Sequence, residues 1–233
     1  MDISAHFKKH SKKYQHVVKN TNKELYKNIE HELNGELTGT VLDIGNGNIF
    51  NYDIDKLDRV IAIDLTFEDN MPDTGRIKRI HGDARDLRML DSKSCDRVVM
   101  QFLLHHIVEK TKKDTDGAVL SALKEAYRVL KPEGKMVIIE MLVHPFMERT
   151  ENILYRLNYE LLNFINKPMI KFYSENGLRE KLLSADFTQI NVKRIDMGKS
   201  IDPFEAILPG VITIPAYLNP TKCYFIVAAR QNP

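Results

Sequence analysis

Residues 40–48 read TVLDIGNGN, and this stretch decides the fold. It starts as a short apolar run, continues through Asp43 and ends in a loop with glycines at positions 45 and 47. A short apolar run bounded by glycines predicts a buried β-strand. Glycine lets the backbone turn tightly and approach a ligand closely. We therefore predict a strand that delivers a ligand-binding loop to the edge of a sheet.

Apolar runs recur along the chain after this first strand. One amphipathic helix, which carries Val119, Leu123 and Leu130 on one face, separates the fourth run from the fifth. Apolar strands that alternate with helices indicate a parallel sheet with helices on both faces. The predicted strands are residues 40–44, 59–63, 76–81, 97–102, 135–142, 188–195 and 223–229.

Further helices are predicted before and after this sheet. Two precede it, over residues 3–18 and starting at Thr21, and we expect them to cover the sheet or its edge. After the fifth strand, a helix over residues 151–165 is rich in apolar and aromatic side chains, and another begins at Ser174. A turn made by proline and glycine is predicted over residues 131–134.

Composition and charge limit the classes of function. The chain has 34 basic and 32 acidic residues, and this near balance argues against a general nucleic-acid binder. Cys95 and Cys223 follow no metal-binding spacing and suit a reducing compartment. The N-terminus lacks the apolar core of a secretory signal, and the apolar run 207–218 is interrupted by prolines. We expect a cytoplasmic protein with no membrane span and no metal.

Polar side chains follow the predicted strands at the points where the strands end. Asp43, Asp64 and Asp83 each follow an apolar run, Gln101 closes the fourth strand, and Glu140 lies late in the fifth. Open parallel sheets bind ligands at the carboxyl ends of their strands, so these side chains predict one ligand site. Asp64 lies about 20 residues beyond the glycine loop, where an acid accepts the hydroxyls of a ribose.

Together these motifs resemble those of the class I S-adenosylmethionine-dependent methyltransferases. The resemblance implies a three-layer, Rossmann-like α/β fold with seven mostly parallel strands, an antiparallel last strand and an N-terminal helical cover. It also implies S-adenosylmethionine as the cofactor and S-adenosylhomocysteine as the product. It covers residues 5 to about 142 well, and the matching segments are residues 41–47, 63–64, 82–87, 96–99, 104–107 and 127–134.

By this resemblance, a set of loop residues is expected to contact the cofactor. The expected contacts are Asp43, Gly45 and Asn46 at the methionine part, Gln101 and Phe102 beside the sulfonium, Asp64 at the ribose, Asp83 and Ala84 at the adenine, and Tyr14 closing over the cofactor, with Gly47 and Leu65 also assigned to the site.

One position departs from the family pattern. The family often has a third glycine two residues after Gly47, and this chain has Ile49 there. A glycine at that position lets the following helix pack close to the strand. We therefore expect a displaced or short helix after the first strand.

The chain is long enough for one domain over residues 1–233, because its 43% hydrophobic content can fill a core without disulfides or metal. We divide the domain into a helical lid (1–35), a cofactor-binding core (36–142) and substrate-side insertions (143–222). The late connection, residues 196–222, is apolar and interrupted by prolines, which is typical of a pocket wall.

Five side chains are candidates for chemistry on the acceptor side. His105 or His106 can take a proton from an acceptor; alternatively, both only cap the helix, because holding the acceptor in line can suffice. His144, Tyr155 and Tyr159 are candidates for the acceptor pocket. The alternatives are a surface position for His144 and a core position for the two tyrosines.

The pattern predicts an enzyme, a monomer or homodimer, that methylates an O, N or C nucleophile of a small, partly apolar or aromatic molecule. One alternative is a nucleic-acid methyltransferase. The near-neutral charge argues against it, and so does the QFLL sequence at residues 101–104, where enzymes that act on base amines carry Asn/Asp-Pro-Pro-aromatic. The other alternative is a protein that binds the cofactor without methylating.

Overall fold

The computed structural model describes residues 23–67, 72–198 and 221–230. Seven strands in these ranges form one sheet. They are β1 (Thr40–Ile44), β2 (Arg59–Asp64), β3 (Ile77–His81), β4 (Cys95–Gln101), β5 (Leu130–Val143), β6 (Phe187–Arg194) and β7 (Thr221–Arg230). Their order across the sheet is β3-β2-β1-β4-β5-β7-β6.

The directions of the strands confirm the predicted sheet. β1 runs parallel to both β2 and β4, and the β2–β3 and β4–β5 pairs are also parallel. β7 is antiparallel to both of its neighbours, β5 and β6. Because the chain crosses over at β1, the carboxyl ends of β1 and β4 lie side by side at the centre of the sheet. This is the switch point at which open α/β sheets bind ligands.

Helices cover both faces of the sheet, as predicted. They are α1 (Lys23–Glu36), α2 (Lys112–Val129), α3 (Pro145–Phe164) and α4 (Glu175–Ser184). Side chains alternate between the two faces of a strand. Val41 of β1 therefore packs with α1, and its neighbour Leu42 packs in the second cluster, with α2 and α4. The two apolar clusters give the predicted three layers.

α1 is the part of the predicted N-terminal cover that falls within the described residues. Leu25, Ile29 and Leu33 recur at every fourth position and are buried. They pack against Val99 and Val137 of the sheet. The predicted helix over residues 3–18 lies outside the described residues, as does most of the predicted pocket wall.

The predicted start of the helix after β5 is wrong by six residues. α3 begins at Pro145, not at residue 151. Proline is favoured in the first turn because its missing N–H would have no helical partner there. The His144 side chain accepts a hydrogen bond from the Phe146 N–H at 3.3 Å, which caps the helix. These two local signals mark the start more reliably than the later apolar run.

The predicted turn over residues 131–134 lies inside β5, where the chain loops out of register. Leu130 pairs with Cys95 and Lys135 pairs with Arg97, so four residues of β5 stand opposite one residue of β4. A Cβ atom on Gly134 would lie 2.9 Å from the Lys131 carbonyl oxygen. A glycine is therefore needed where this excursion closes on itself.

The connection between β1 and β2 forms only a three-residue 3₁₀ helix, Ile54–Lys56. The expectation of a displaced or short first helix after Ile49 is confirmed. The backbone instead turns through Asn48, which has a positive φ of 63°. Within the described ranges, no helix combines the length and the apolar sequence that a membrane crossing requires.

Candidate active site

The loop after β1 is held against the end of β2. The Gly45 N–H donates to the Ile63 carbonyl at 2.8 Å, and the Gly47 N–H donates to Oδ2 of Asp64 at 2.8 Å. Gly45 and Gly47 both have positive φ, at 74° and 56°. Among the described residues, a Cβ atom on Gly47 would meet nothing within 4 Å, so this part of the chain leaves room for a ligand on that side. These are the features expected of a ligand-binding glycine loop.

Asp43 is fully buried beneath this loop. Its Oδ2 atom accepts hydrogen bonds from the Tyr52 hydroxyl at 2.8 Å and from the Asn46 amide at 2.7 Å. Burial raises the pKa of Asp43 to about 7, although both hydrogen bonds act in the opposite direction. The Asp64 charge adds to the rise. The contact with Tyr52 could not be predicted from the sequence, because the side chains meet only after the loop folds back.

Asp64 uses both carboxylate oxygens to organise two loops. Oδ1 accepts from the backbone N–H and the hydroxyl of Thr66, at 2.7 and 2.6 Å, and Oδ2 accepts from Gly47. Each carboxylate oxygen has two lone pairs, so Oδ2 retains acceptor capacity beside Gly47. Leu65, also assigned to the site, follows directly and is 40% exposed. The assignment of Asp64 to the ribose stays a prediction.

Asp83 lies at the end of β3 and pairs with Arg85. The Arg85 guanidinium donates to both carboxylate oxygens and also reaches Glu109 at 2.6 Å. Burial raises the pKa of Asp83, but the hydrogen bonds from the Arg85 side chain and backbone outweigh burial, so the pKa lies below its usual value. Asp83 is therefore an anion near neutral pH. Ala84 is partly buried against the core beside it, and the adenine role of both stays a prediction.

The end of β4 is marked by a strained residue. Phe102 has a φ of 51°, which is uncommon for a bulky side chain. Its N–H still donates to the Ile139 carbonyl at 2.8 Å, and its ring contacts Tyr26 edge to face. Gln101 precedes it and accepts from the Asn51 amide at 3.1 Å. After this left-handed residue, Leu103 lies beside Gly45 of the loop after β1, and residues 104–106 form a 3₁₀ helix.

His105 forms the most specific polar contact at this edge. Its Nδ1 atom lies 2.6 Å from Oε1 of Glu140, a fully buried residue in β5. The His105 side chain is 12% exposed, so the ring can still be reached. Oε2 of Glu140 has no hydrogen-bond partner within the ranges that the structure describes. Since Gln101 pairs with Ile139, the parallel register brings Glu140 next to the segment that carries His105.

The backbone of His105 is fixed as well as its ring. Its carbonyl accepts from the Lys171 N–H at 2.9 Å. The His106 ring lies 4.0 Å from the His105 ring, measured between centroids. His105 and His106 form a 3₁₀ helix with Leu104, and Leu104 is buried. A buried carboxylate therefore fixes the orientation of the His105 ring, and the catalytic roles of both histidines stay predictions.

The three acceptor-pocket candidates fall in other surroundings. His144 is exposed and caps α3. Tyr155 is buried, and its hydroxyl pairs with the Thr115 hydroxyl at 2.5 Å and donates to the Glu109 carbonyl at 2.9 Å. Tyr159 packs beside Tyr155 in a small apolar cluster. These contacts match the surface and core alternatives, and the pocket roles stay predictions. Tyr14 lies outside the described residues.

The residues at this edge fit S-adenosylmethionine. Oδ1 of Asp43 and Oδ1 of Asn46 are buried acceptors with no hydrogen-bond partner in the described part of the chain, on side chains that contact each other. The cofactor's amino group is a cation that donates three hydrogen bonds, so two neighbouring acceptors suit it. Such orphaned atoms are costly unless something pairs with them. Asp64 and Asp83 lie at the carboxyl ends of β2 and β3, the next two strands of the sheet.

Comparisons with known proteins agree with this geometry. Residues 34–138 match the family model described as a methyltransferase domain. A demethylmenaquinone methyltransferase of Clavibacter sepedonicus is 32% identical over 160 residues. The match covers 60% of this chain and 60% of that relative. The chain thus spans less than two thirds of the length of this curated relative.

Two solved structures share the fold. A Haloferax volcanii methyltransferase, solved with the Trm112 methyltransferase activator, superposes with a TM-score of 0.65 at 16% identity and covers 97% of both chains. The second is the 1,6-didemethyltoxoflavin-N1-methyltransferase of Burkholderia thailandensis, solved with bound 1,6-didemethyltoxoflavin and S-adenosylhomocysteine. It superposes with a TM-score of 0.63 at 15% identity and covers 98% of this chain and 87% of that one.

The family match spans the glycine loop, the acids that end β2 and β3, and the strand order on both sides of the switch point. The predicted resemblance is confirmed by these comparisons. Residues 34–138 therefore carry a methyltransferase domain, and the described residues have the fold of solved S-adenosylmethionine-dependent methyltransferases.

Proposed function

We propose that the protein transfers the methyl group of S-adenosylmethionine to an O, N or C nucleophile of a small, partly apolar or aromatic molecule. The observation that carries this proposal is the pair formed by His105 and the buried Glu140, at the ends of β4 and β5. Family membership supplies the cofactor, and this pair supplies a group that can activate an acceptor. A protein that only held the cofactor would have no use for an oriented imidazole at this edge.

The cofactor would be held by the strand-end residues. Asp43 and Asn46 offer acceptors to its amino group, and Asp64 offers Oδ2 to its ribose. Asp83 lies at the neighbouring strand end, at the adenine side. S-adenosylmethionine supplies an electrophilic methyl group on its sulfonium. Carboxylates at these strand ends favour binding of the positively charged cofactor.

His105 would act on the acceptor. A carboxylate accepts from N–H, so Glu140 places the proton of neutral His105 on Nδ1 and leaves a lone pair on Nε2. Nε2 could then take the proton from an acceptor O–H or N–H as the nucleophile attacks the methyl carbon, the methyl–sulfur bond breaks and S-adenosylhomocysteine leaves. Glu140 stabilises the imidazolium that results, as an orienting carboxylate does in other base-assisted sites.

The first acceptors to test come from the named relatives. The curated relative is a demethylmenaquinone methyltransferase, and a structural neighbour acts on 1,6-didemethyltoxoflavin. Both names describe aromatic, non-peptide acceptors that lack a methyl group. We would incubate the protein with methyl-labelled cofactor and these acceptors, together with total RNA and a metabolite extract. Label in the small-molecule fraction supports the proposal.

Two other results would contradict the proposal. Label that enters RNA would support the nucleic-acid alternative. Tight cofactor binding by calorimetry, with no transfer to any fraction, would support a cofactor-binding protein that does not methylate. Loss of both binding and transfer after removal of the Asp64 carboxylate would locate any activity in this site.

The role of Glu140 can be separated from a purely structural one. His105→Ala should lower kcat about 10²- to 10⁴-fold if the imidazole is the base. Glu140→Gln should lower kcat as well, but should have no further effect in the His105→Ala background, because Glu140 acts through the ring. Controls are His31→Ala and Glu133→Gln, both exposed. Additive losses in the double variant would contradict this mechanism.

A further inference from the structure

α3 carries its apolar side chains on the side that faces solvent. Its six most outward-facing large apolar residues define the α3 stripe: Phe146, Ile153, Leu154, Leu157, Leu161 and Phe164. Phe164 is 84% exposed, Ile153 75% and Phe146 71%. Residues 154, 157, 161 and 164 are three or four positions apart, and residues 146, 153 and 157 are seven or four apart, so all six lie on one face of the helix. A single exposed leucine is ordinary, but a continuous exposed stripe of this kind marks an interaction surface.

The opposite side of α3 explains why the stripe points outward. Tyr155 is buried there, and Glu151 accepts from the Lys171 ammonium at 3.2 Å. Glu148 accepts from the Ser174 hydroxyl at 2.5 Å. The helix is therefore docked on the domain by its polar and tyrosine side. Its 20 residues give the stripe a length of about 30 Å.

The charges beside the stripe are mainly positive. Arg149 and Arg156 are exposed along one border of the stripe, and Lys167 is exposed just after the helix. Glu160 is the exposed acid on the same border. The remaining acids of α3, Glu148 and Glu151, are turned inward as described. An apolar stripe with a cationic border is the pattern of a helix that lies in the plane of a lipid surface.

We propose that the α3 stripe docks on an anionic phospholipid surface. The apolar side chains would enter the boundary between headgroups and acyl chains, and the two arginines would meet the headgroup phosphates. If a second copy of this chain packed its own α3 against the stripe, the exposed acid that this helix would offer the arginines is Glu160. A lipid surface offers many anions, so the charge pattern favours it. This inference does not depend on the proposed methyl transfer.

The test is flotation of the full chain with vesicles. We expect the protein to float with phosphatidylcholine vesicles that contain phosphatidylglycerol, and less with pure phosphatidylcholine. Added salt should weaken the binding because it screens the arginines. Leu157→Glu and Ile153→Glu should each lower the vesicle partition constant about tenfold or more, because each removes an apolar side chain that would enter the lipid. Both side chains are exposed, so the fold should persist, and circular dichroism would check it.

A matched control is Leu183→Glu. Leu183 is 54% exposed on α4, outside the stripe, so this variant should partition like the wild type. Three results would overturn the proposal. The wild type could fail to float with anionic vesicles. Leu157→Glu could float as well as the wild type. Sedimentation could instead find a dimer that Leu157→Glu separates while vesicles bind neither form, which would assign the stripe to a second copy.

Discussion

The hydroxyl of Tyr52 donates a 2.8 Å hydrogen bond to Oδ2 of Asp43, a carboxylate with no exposed surface. Tyr52 lies in the connection between β1 and β2, so the contact holds this connection against the carboxyl end of β1. Burial raises the pKa of Tyr52 well above its ordinary value, and the Asp43 charge adds to this effect. The tyrosine therefore remains a donor over the whole range in which Asp43 titrates.

The contribution of Asp43 to the stability of the protein should fall as the pH rises from about 4 to about 7. The pKa of Asp43 is raised from 3.8 to about 7. Between these values the folded protein holds a proton that the unfolded chain releases, so higher pH favours unfolding. The contribution is about 4 kcal/mol. Asp43→Asn cannot ionise and should lose this part of the slope in urea unfolding measured at several pH values.

Other titrating groups are common to both proteins, so the difference between the wild type and Asp43→Asn isolates Asp43. Parallel stability curves from pH 4 to pH 7 would show that Asp43 is ionised in the folded protein at low pH, against the expectation. An unchanged circular dichroism spectrum would confirm that the variant keeps the fold.

Tyr52→Phe should destabilise the protein, and Tyr173→Phe should not. The Tyr52→Phe variant loses the hydrogen bond to Asp43, and this loss lowers the free energy of unfolding by about 2 kcal/mol when Asp43 is ionised. The Tyr173 hydroxyl is buried with no hydrogen-bond partner, so its removal should be neutral or slightly stabilising. Urea unfolding at pH 8 compares the two, and the cost of Tyr52→Phe should be smaller at pH 5. Equal costs for the two variants would refute this account.

Alanine should be tolerated better at position 47 than at position 45. Both glycines have positive φ, and alanine in this conformation costs about 1–2 kcal/mol. A Cβ atom at position 45 would also lie 2.6 Å from Cδ1 of Leu103, whereas position 47 is open. Gly45→Ala should therefore cost about 1 kcal/mol more.

Leu103→Ala tests this explanation. The extra cost of Gly45→Ala should disappear in the Leu103→Ala background, because the clashing methyl group is gone. The same background should leave the cost of Gly47→Ala unchanged. If Gly45→Ala costs the same with and without Leu103, backbone strain alone accounts for its effect.

Asp64→Ala should weaken cofactor binding about 10- to 100-fold, because a charged acceptor is lost. Asp64→Asn keeps one oxygen for the Gly47 N–H and should lie between Asp64→Ala and the wild type. Isothermal titration calorimetry measures both. Asp91→Ala is the control, since Asp91 is exposed between β3 and β4. Wild-type affinity in Asp64→Ala would remove Asp64 from the cofactor site.

The fold could be predicted from the sequence because each strand carries its own signal. The runs around Asp43 and Asp64 are short, apolar and followed by turn residues, so these patterns were sufficient to predict the two strands. The family resemblance also predicted that most strands are parallel and that the last strand is antiparallel, and both features are observed. Boundaries were less certain where capping decides them, as at Pro145, or where a strand loops out, as at residues 131–134.

The site could be predicted only in part. Strand ends locate side chains along the edge, but they do not show which side chains pair. Glu140 was visible as an acid in the apolar run VIIEML, yet its contact with His105 depends on the register between β4 and β5. Asp43 and Tyr52 meet through a loop that has no repeating pattern. The roles of the cofactor residues and the division into lid, core and insertions remain predictions.

Lys171 joins two parts of the molecule that are far apart in the sequence. Its ammonium is held by Glu151 of α3, and its backbone N–H is held by the His105 carbonyl. Both bonds belong to one residue that is almost completely buried, so neither is weakened by water. Lys171 therefore connects the inner side of α3 to the backbone of the segment that carries His105. A change in the position of α3 would act on this segment directly, without passing through the sheet.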